Sequence, residues 1–202
     1  MMIRALITDF GGVLVRTRTD RSRRALEARL GLTPLTLENR VFGGELSMQG
    51  QHGAISEEEF WQAVARELAV ARIGLTAETF RVEFFADDFL DEELMAFIRS
   101  VRPQVKTGLI SNAWSGMREL IHTTVPIADA FDALVISAEE KMMKPDPRIY
   151  QLALDRLDVR ADEAIFLDDV QVNIAACNAL GMHGVHFTSC EQAQRDIRAL
   201  LA

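Results

Sequence analysis

Short apolar runs alternate with amphipathic segments in the second half of the chain, and this alternation narrows the folds open to it. From residue 91 onward the patterns predict helices at 91–100, 117–122, 146–157, 171–180 and 191–201, and strands at 105–110, 133–136, 164–167 and 185–187. Residues 3–8 add a first buried strand that stops at a glycine turn. Strands that alternate with helices build a parallel sheet with right-handed crossovers. An α/β fold with a parallel sheet is therefore expected.

The segment between residues 16 and 88 differs, because its apolar residues recur at helical spacing and no strand pattern is present. Helices are predicted at 21–30, 35–42, 56–70 and 76–85, and Ser56-Glu57-Glu58-Glu59 is a capping box that opens the third of them. The glycine-rich, polar residues 43–53 predict a loop between helices. Residues 16–88 are therefore predicted to form a helical insertion after the first strand, with residues 1–15 and 89–202 as the α/β core.

Charge and composition argue against several classes of function. The 202-residue chain carries a net charge of −8, whereas nucleic-acid-binding surfaces are normally basic. It has no run of about 18 apolar residues, and its N-terminal apolar run is too short for a secretion signal. Its two cysteines show no metal-ligand spacing and indicate no disulfide framework. We expect a cytoplasmic protein, monomeric or homodimeric, with no nucleic-acid or membrane partner.

Polar residues stand at the ends of three predicted strands. Asp9 follows the first strand, Ser111 follows the strand at 105–110, and Asp168 and Asp169 follow the strand at 164–167. A lone aspartate there is usually a turn or cap residue, but ligands of open α/β sheets bind at the carboxyl ends of strands. Carboxylates brought together without compensation repel each other and have raised pKa values. Mg²⁺ would remove this conflict, since it accepts carboxylate oxygens, a backbone carbonyl and waters.

Lys144 is the candidate positive group of such a site. Pro145 disfavours a helical conformation for the residue before it, so the lysine lies just before the helix predicted at 146–157. Most lysines are solvated on the surface. The rigid Lys-Pro-Asp-Pro frame at a helix N-terminus leaves open the alternative of a lysine that serves the site.

Four motifs in order carry a resemblance to a known family. They are Ile7-Thr8-Asp9-Phe10-Gly11-Gly12-Val13-Leu14, Leu109-Ile110-Ser111-Asn112, Lys144-Pro145-Asp146-Pro147-Arg148-Ile149-Tyr150 and Phe166-Leu167-Asp168-Asp169. Over nearly its whole length the chain resembles the haloacid dehalogenase (HAD) superfamily, in particular phosphatase-like members that include sugar-1-phosphate phosphatases. The resemblance implies a Rossmann-like parallel sheet core and a small helical cap, residues 16–88, that covers the site and selects the substrate.

The resemblance also implies roles for the strand-end residues. Asp9 would be the nucleophile, which attacks phosphorus and forms an aspartyl-phosphate. Lys144 would neutralise charge on the nucleophile and on the phosphoryl group. Ser111 and the backbone of Asn112 would bind phosphate oxygens. A small phosphorylated metabolite is the implied substrate.

Mg²⁺ is the cofactor that the resemblance implies. Asp9 and Asp169 would bind the ion together with the backbone carbonyl of Gly11. Asp168 is a further candidate at the metal site, and its alternative role is to orient a bound water or Lys144.

Gly11 departs from the usual first motif of the family, Asp-x-Asp, whose second aspartate is the general acid and base. Glycine keeps the carbonyl but cannot donate a proton, and general acid–base help is worth about 10²–10⁴-fold. The loss matters least for good leaving groups, such as anomeric phosphates. Two alternatives to an active phosphatase stay open: a regulatory module that binds Mg²⁺ and phosphate without turnover, and a metal-independent 2-haloacid dehalogenase. The intact Asp168-Asp169 pair counts against the dehalogenase.

Two aromatic residues beside the motifs are candidate substrate contacts. Phe10 follows the nucleophile and would either shape the leaving-group side or pack under the cap. Trp114 comes three residues after Ser111 and would either stack on a sugar or another ring or pack against a helix.

Overall fold

The computed structural model describes residues 2–202 and contains seven strands in this range. They are β1 (Ala5–Thr8), β2 (Val15–Thr17), β3 (Asp88–Leu90), β4 (Lys106–Ser111), β5 (Ala133–Ile136), β6 (Ala164–Asp168) and β7 (His183–His186). Five of them form one sheet in the order β5-β4-β1-β6-β7, and every neighbouring pair in it is parallel. The central strand β1 is buried along its whole length, as a parallel sheet covered on both faces requires. The predicted α/β fold is confirmed.

The first half of the chain is mainly helical and has a hydrophobic cluster of its own. Its helices are α1 (Arg21–Leu30), α2 (Thr36–Phe42), α3 (Gly44–Gln51), α4 (Glu57–Glu67) and α5 (Ala77–Phe84). Leu26, Phe60 and Phe80 are fully buried members of this cluster. The capping box predicted for α4 is confirmed, since Ser56 and Glu59 each accept a hydrogen bond from the backbone amide of the other.

The helices that follow β3 cover both faces of the sheet. They are α6 (Glu92–Val101), α7 (Met117–Thr123), α8 (Ser137–Glu140), α9 (Pro147–Leu157), α10 (Gln171–Ala179) and α11 (Cys190–Leu201). Successive side chains of a strand point to opposite faces, so Leu6 packs on the side of α6 and α11, whereas Ile7 packs on the side of α9 and α10. Both helical layers thus anchor β1. Within residues 2–202, no helix has the length and hydrophobicity needed to cross a bilayer.

Two predictions for the insertion are wrong. Residues 43–53, which the pattern assigns to a loop, contain helix α3. A Cβ at Gly50 would lie 2.6 Å from Cδ1 of Trp114, so this glycine permits close packing and does not mark a loop. The pattern also predicts no strand between residues 16 and 88, yet β2 and β3 reach into this segment as an antiparallel pair, with Arg16 opposite Phe89. Three-residue strands are too short to show the alternation that identifies strands.

Candidate active site

Three adjacent strands bring the polar strand-end residues to one edge of the sheet. In the order β4-β1-β6, Ser111 ends β4, Asp9 follows β1, and Asp168 ends β6 with Asp169 next to it. The amide of Asp9 donates to the carbonyl of Leu167 at 2.8 Å, so the aspartate continues the pairing of β1 with β6. Carboxylate oxygens of the three aspartates lie within 4.8 Å of one another. The structure therefore gathers the acids at the edge where the sequence predicts a site.

Lys144 supplies positive charge to this acidic cluster. Its Nζ lies 2.7 Å from Oδ1 of Asp9 and 2.7 Å from Oδ2 of Asp168, and its side chain is 1% exposed. The turn before α9 sets its position, because Asp146 caps that helix by accepting from the amide of Arg148 at 2.9 Å. A lysine buried between two carboxylates is not a solvated surface residue. The geometry favours the alternative in which it serves the site.

Asp168 is fully buried, and its carboxylate is surrounded by donors. Besides Lys144, the amide of Val170 donates to Oδ1 at 2.7 Å, and Nδ2 of Asn173 lies 3.1 Å from each oxygen. Asp169, by contrast, is exposed. For Asp168 the geometry therefore favours orientation of Lys144 over direct metal binding. The segment Asn173-Ile174-Ala175-Ala176 also matches the family pattern, but the resemblance assigns Asn173 no role at the site.

Burial makes the negative charge of this cluster unfavourable. It raises the pKa of Asp9 to about 7, an effect that Lys144 opposes and the charge of Asp168 strengthens. Asp169 is exposed as a whole residue, but its carboxylate packs against Gly12; this partial desolvation first, and the charge of Asp168 second, raise the pKa of Asp169. Three ionised carboxylates and one ammonium leave an excess of negative charge, which a divalent cation would neutralise.

Gly11 and Gly12 border the acids and leave space beside them. Gly12 has a φ of +78°, and a Cβ there would overlap the carboxylate of Asp169, so no other residue fits without a shift. At Gly11 a Cβ would meet nothing within 4 Å, and its φ lies outside the left-handed region. Carboxylate oxygens of Asp9 and Asp169, which lie within 4.8 Å of each other, and the backbone carbonyl of Gly11 are oxygen donors of the kind that Mg²⁺ prefers. The residues present therefore fit this ion.

Ser111 and Asn112 lie at and just after the end of β4, next to β1. Ser111 is buried, with 3% of its surface exposed. The side chain of Asn112 binds the backbone of Lys144: its Nδ2 donates to the carbonyl at 2.9 Å, and its Oδ1 accepts from the amide at 2.8 Å. The resemblance implies a role only for the backbone of Asn112, so the sequence does not predict this side-chain contact.

Phe10 and Trp114 lie in packed surroundings. Phe10 is 9% exposed and belongs to the hydrophobic cluster on the α6 and α11 side of the sheet. The ring of Trp114 stacks on Phe60 at a centroid distance of 4.9 Å and on Phe42 at 6.4 Å. For both residues the geometry favours the packing alternative, and contact with a substrate stays a prediction.

Comparison with known proteins gives this site a family context. The family model described as haloacid dehalogenase-like hydrolase matches residues 3–181. Sesquiterpene phosphatase astK of Aspergillus oryzae is 26% identical over 98% of this chain and 96% of that protein. D-ribitol-5-phosphate phosphatase of Bacteroides thetaiotaomicron is 26% identical over 89% of this chain and 89% of that protein. (S)-2-haloacid dehalogenase 1 of a Pseudomonas species is 29% identical over 67% of this chain and 63% of that protein.

Some relatives are much longer, and some solved structures share the whole fold. Acyl-CoA dehydrogenase family member 10 of Mus musculus is 45% identical over 71 residues. These residues make up 35% of this chain but only 7% of that protein. A Porphyromonas gingivalis protein described as a HAD-like family hydrolase has a TM-score of 0.79 and 26% identity, and the match covers 100% of this chain and 98% of that chain. A HAD family enzyme of Bacteroides thetaiotaomicron, solved with magnesium and inorganic phosphate, has a TM-score of 0.71 and 20% identity over 92% and 94% of the two chains.

Proposed function

Because this chain belongs to the haloacid dehalogenase-like hydrolases, we propose that it is a Mg²⁺-dependent phosphatase that hydrolyses a small phosphorylated metabolite through an aspartyl-phosphate on Asp9. The observation that carries the proposal is the acidic cluster at the sheet edge, where carboxylate oxygens of Asp9 and Asp169 lie within 4.8 Å of each other and Asp9 accepts from the ammonium of Lys144. Two relatives named as phosphatases support the reaction class. Their names give a sesquiterpene and a polyol as the phosphate-bearing groups. These groups differ, so the relatives support hydrolysis of a phosphate ester but do not indicate which alcohol carries the phosphate.

Asp9, Asp169 and the backbone carbonyl of Gly11 are the proposed ligands of Mg²⁺. When bound, the ion would supply positive charge that stabilises the phosphoryl oxygens and the ionised form of Asp9. The pKa of about 7 for Asp9 without metal supports this role, since a carboxylate must be deprotonated to attack phosphorus.

The side chains around Asp9 suit a covalent mechanism. Oδ1 of Asp9 accepts from Nζ of Lys144 and from the amide of Phe10, each at 2.7 Å, and these contacts orient the carboxylate. In the proposed reaction a carboxylate oxygen bonds to phosphorus as the bond from phosphorus to the alcohol oxygen breaks, and the leaving oxygen takes a proton from solvent. Water then attacks the phosphorus of the aspartyl-phosphate and gives up a proton to solvent, which releases phosphate and restores the carboxylate. Lys144 would offset the negative charge, while Ser111 and the amide of Asn112 would donate to phosphate oxygens.

Gly11 shapes the proposed choice of substrate, because no carboxyl group at this position can protonate the departing alcohol. Substrates whose leaving groups need little protonation, such as sugar-1-phosphates, are therefore the proposed class. Residues 16–88 are the proposed cap over the site, and the antiparallel pair of β2 and β3 connects this segment to the sheet.

A phosphatase screen over small phosphorylated metabolites, with and without Mg²⁺, tests the proposed function. Asp9→Asn serves as the blank. The expected result is Mg²⁺-dependent release of phosphate by the wild type and none by the blank. Binding of Mg²⁺ and phosphate without turnover of any substrate would favour the regulatory module, which lacks the general acid just as position 11 does here. Metal-independent release of halide from 2-haloacids would favour a dehalogenase.

A further inference from the structure

Two asparagine side chains lie beside the contacts of Lys144: Asn112 binds its backbone, and Asn173 binds Asp168, whose carboxylate contacts its ammonium. We propose that Asn112 and Asn173 are positioning residues, which together place the ammonium of Lys144 between Asp9 and Asp168. This inference rests on the proposed phosphatase function, in which Lys144 offsets charge at the nucleophile and at the phosphoryl group.

At the backbone end, Asn112 makes two hydrogen bonds to a single residue. Its Nδ2 donates to the carbonyl of Lys144 at 2.9 Å, and its Oδ1 accepts from the amide of Lys144 at 2.8 Å. The two residues are 32 positions apart, so the bonds join the loop after β4 to the turn before α9. Alanine at position 112 would leave a partly buried amide and carbonyl without these partners. Both the position and the rotation of the lysine backbone depend on this side chain.

At the ammonium end, Asn173 holds the counter-charge of the lysine. Its Nδ2 lies 3.1 Å from each carboxylate oxygen of Asp168, and the residue is 5% exposed. The fully buried hydroxyl of Tyr150 donates to the carbonyl of Asn173 at 3.2 Å, which ties α10 to α9. These contacts fix the plane of the Asp168 carboxylate with Oδ2 toward Nζ of Lys144.

A lysine needs this support because its four-carbon stem is flexible and its ammonium is a point charge without a preferred plane. Here Nζ must stay 2.7 Å from both Asp9 and Asp168. A displacement of about 1 Å in a catalytic arrangement can cost about 10²-fold in rate. Loss of either asparagine is therefore expected to lower the rate of the chemical step more than it lowers substrate or metal binding.

Asn112→Ala and Asn173→Ala test the two ends of the lysine separately, and Asn178→Ala is the matched control. Asn178 lies near the other end of α10, where its Oδ1 accepts from the amide of Gly184 at 2.8 Å. The control therefore also removes a side-chain hydrogen bond to the backbone, but one that does not involve Lys144. The two test variants alter different elements. If one of them does not fold, the other can still be measured and can still refute the proposal.

Three measurements distinguish positioning from a general loss of structure: kinetics on p-nitrophenyl phosphate, Mg²⁺ titration by calorimetry, and the rate at which an amine-selective reagent labels Lys144, followed by mass spectrometry. For both test variants we expect kcat to fall about 10- to 100-fold and Lys144 labelling to accelerate at least about fivefold. KM and the Kd of Mg²⁺ should change less than about threefold, because neither asparagine is a proposed metal ligand and alanine keeps the backbone amide of residue 112 that is proposed to bind phosphate. The control should match the wild type throughout.

Unchanged labelling of Lys144 in a folded test variant would overturn the positioning role, as would equal losses of kcat in Asn178→Ala. A wild type without Mg²⁺-dependent phosphatase activity would instead refute the proposed function. In that case the labelling rates still decide whether the two asparagines hold Lys144, so the two failures are distinguishable.

Discussion

The acidic edge of the sheet and the helical insertion are held together by different interactions. At the sheet edge, the buried carboxylates of Asp9 and Asp168 meet Lys144 and are oriented by hydrogen bonds, and the exposed Asp169 lies beside them. In the insertion, aromatic rings pack against one another; Trp61, for example, lies 5.2 Å from Phe60 and 6.1 Å from Phe80 between ring centroids. A buried charged network depends on each partner, whereas an aromatic cluster depends on area and shape. The two regions should therefore respond differently to substitution.

The two regions meet at the segment that follows Ser111. The hydroxyl of Ser137 donates to the carbonyl of Gln51 at 2.7 Å and accepts from the amide of Ala113 at 3.0 Å. Trp114 fills the space that Gly50 leaves open. The loop that would bind phosphate thus continues directly into contact with the insertion. Through the contacts of Ala113 and Trp114, packing in the insertion can influence the position of the phosphate-binding loop.

Asp9→Asn has the largest expected effect and acts at the sheet edge alone. Loss of the nucleophile should lower kcat by about 10⁴-fold or more. The fold should be retained, because Lys144 keeps Asp168 as its partner at 2.7 Å and the substitution removes a carboxylate whose ionised form is disfavoured by burial. Steady-state kinetics and thermal unfolding of the metal-free protein measure the two effects. Measurable turnover, or a clearly lower melting temperature than that of the wild type, would contradict the prediction.

Phe60→Ala is the corresponding change in the insertion. The phenyl ring is fully buried between Trp61 and Trp114, at centroid distances of 5.2 and 4.9 Å. Its removal should lower the free energy of unfolding by about 3–5 kcal/mol. At temperatures where the variant stays folded, kcat on p-nitrophenyl phosphate should fall far less than in Asp9→Asn. Urea unfolding and kinetics on the folded variant check this.

Val82→Ala is the matched control for the insertion, since Val82 is 60% exposed on α5. Its unfolding free energy should stay within about 0.5 kcal/mol of the wild type. A loss of turnover in Phe60→Ala as deep as that in Asp9→Asn would remove the contrast between the regions, because it would make the insertion part of the catalytic machinery.

Buried parallel strands are the part of this fold that sequence patterns predict best. The strand predicted at 133–136 coincides with β5, because its apolar residues are continuous and its borders are polar. The strand predicted at 185–187 lies at His183–His186, since a histidine and a glycine at the sheet edge carry no strand signal. In the insertion, glycine serves close packing at position 50, and local patterns cannot separate this use from a loop.

The sequence predicts only the part of the candidate site that lies at the ends of strands, because the carboxyl ends of parallel strands meet at one edge of the sheet. This rule anticipates the cluster of Asp9 with Asp168 and Asp169. It cannot anticipate the side-chain contact of Asn112 with Lys144, which joins two loops that are distant in the sequence. Hydrogen bonds of this kind depend on tertiary placement and leave no periodic signal.

The pH dependence of the unfolding free energy should also differ between variants of the sheet edge and variants of the insertion. The pKa of Asp9 is raised from 3.8 to about 7 in the folded protein, so between these values the folded state holds more protons than the unfolded state. The unfolding free energy of the metal-free protein should therefore fall as pH rises from about 4 to about 7. Asp9→Asn should lose this part of the slope, and Phe60→Ala should keep it. Urea unfolding at several pH values with a chelator present measures the slopes, and equal slopes in the wild type and Asp9→Asn would refute the assignment.

Gly11→Asp carries the smallest expected effect and tests whether the sheet edge lacks only a proton donor. A Cβ at this position meets nothing within 4 Å and the backbone φ lies outside the left-handed region, so the aspartate should fit sterically, and bound Mg²⁺ would offset its added charge. Turnover of alkyl phosphates should rise by about tenfold or more relative to turnover of p-nitrophenyl phosphate, whose leaving group needs little protonation. Gly11→Asn, which is similar in size but cannot act as the acid, is the matched control and should show no such selectivity. Equal changes on both substrates would mean that the missing carboxyl group does not limit the reaction, and that substrate choice comes from the insertion instead.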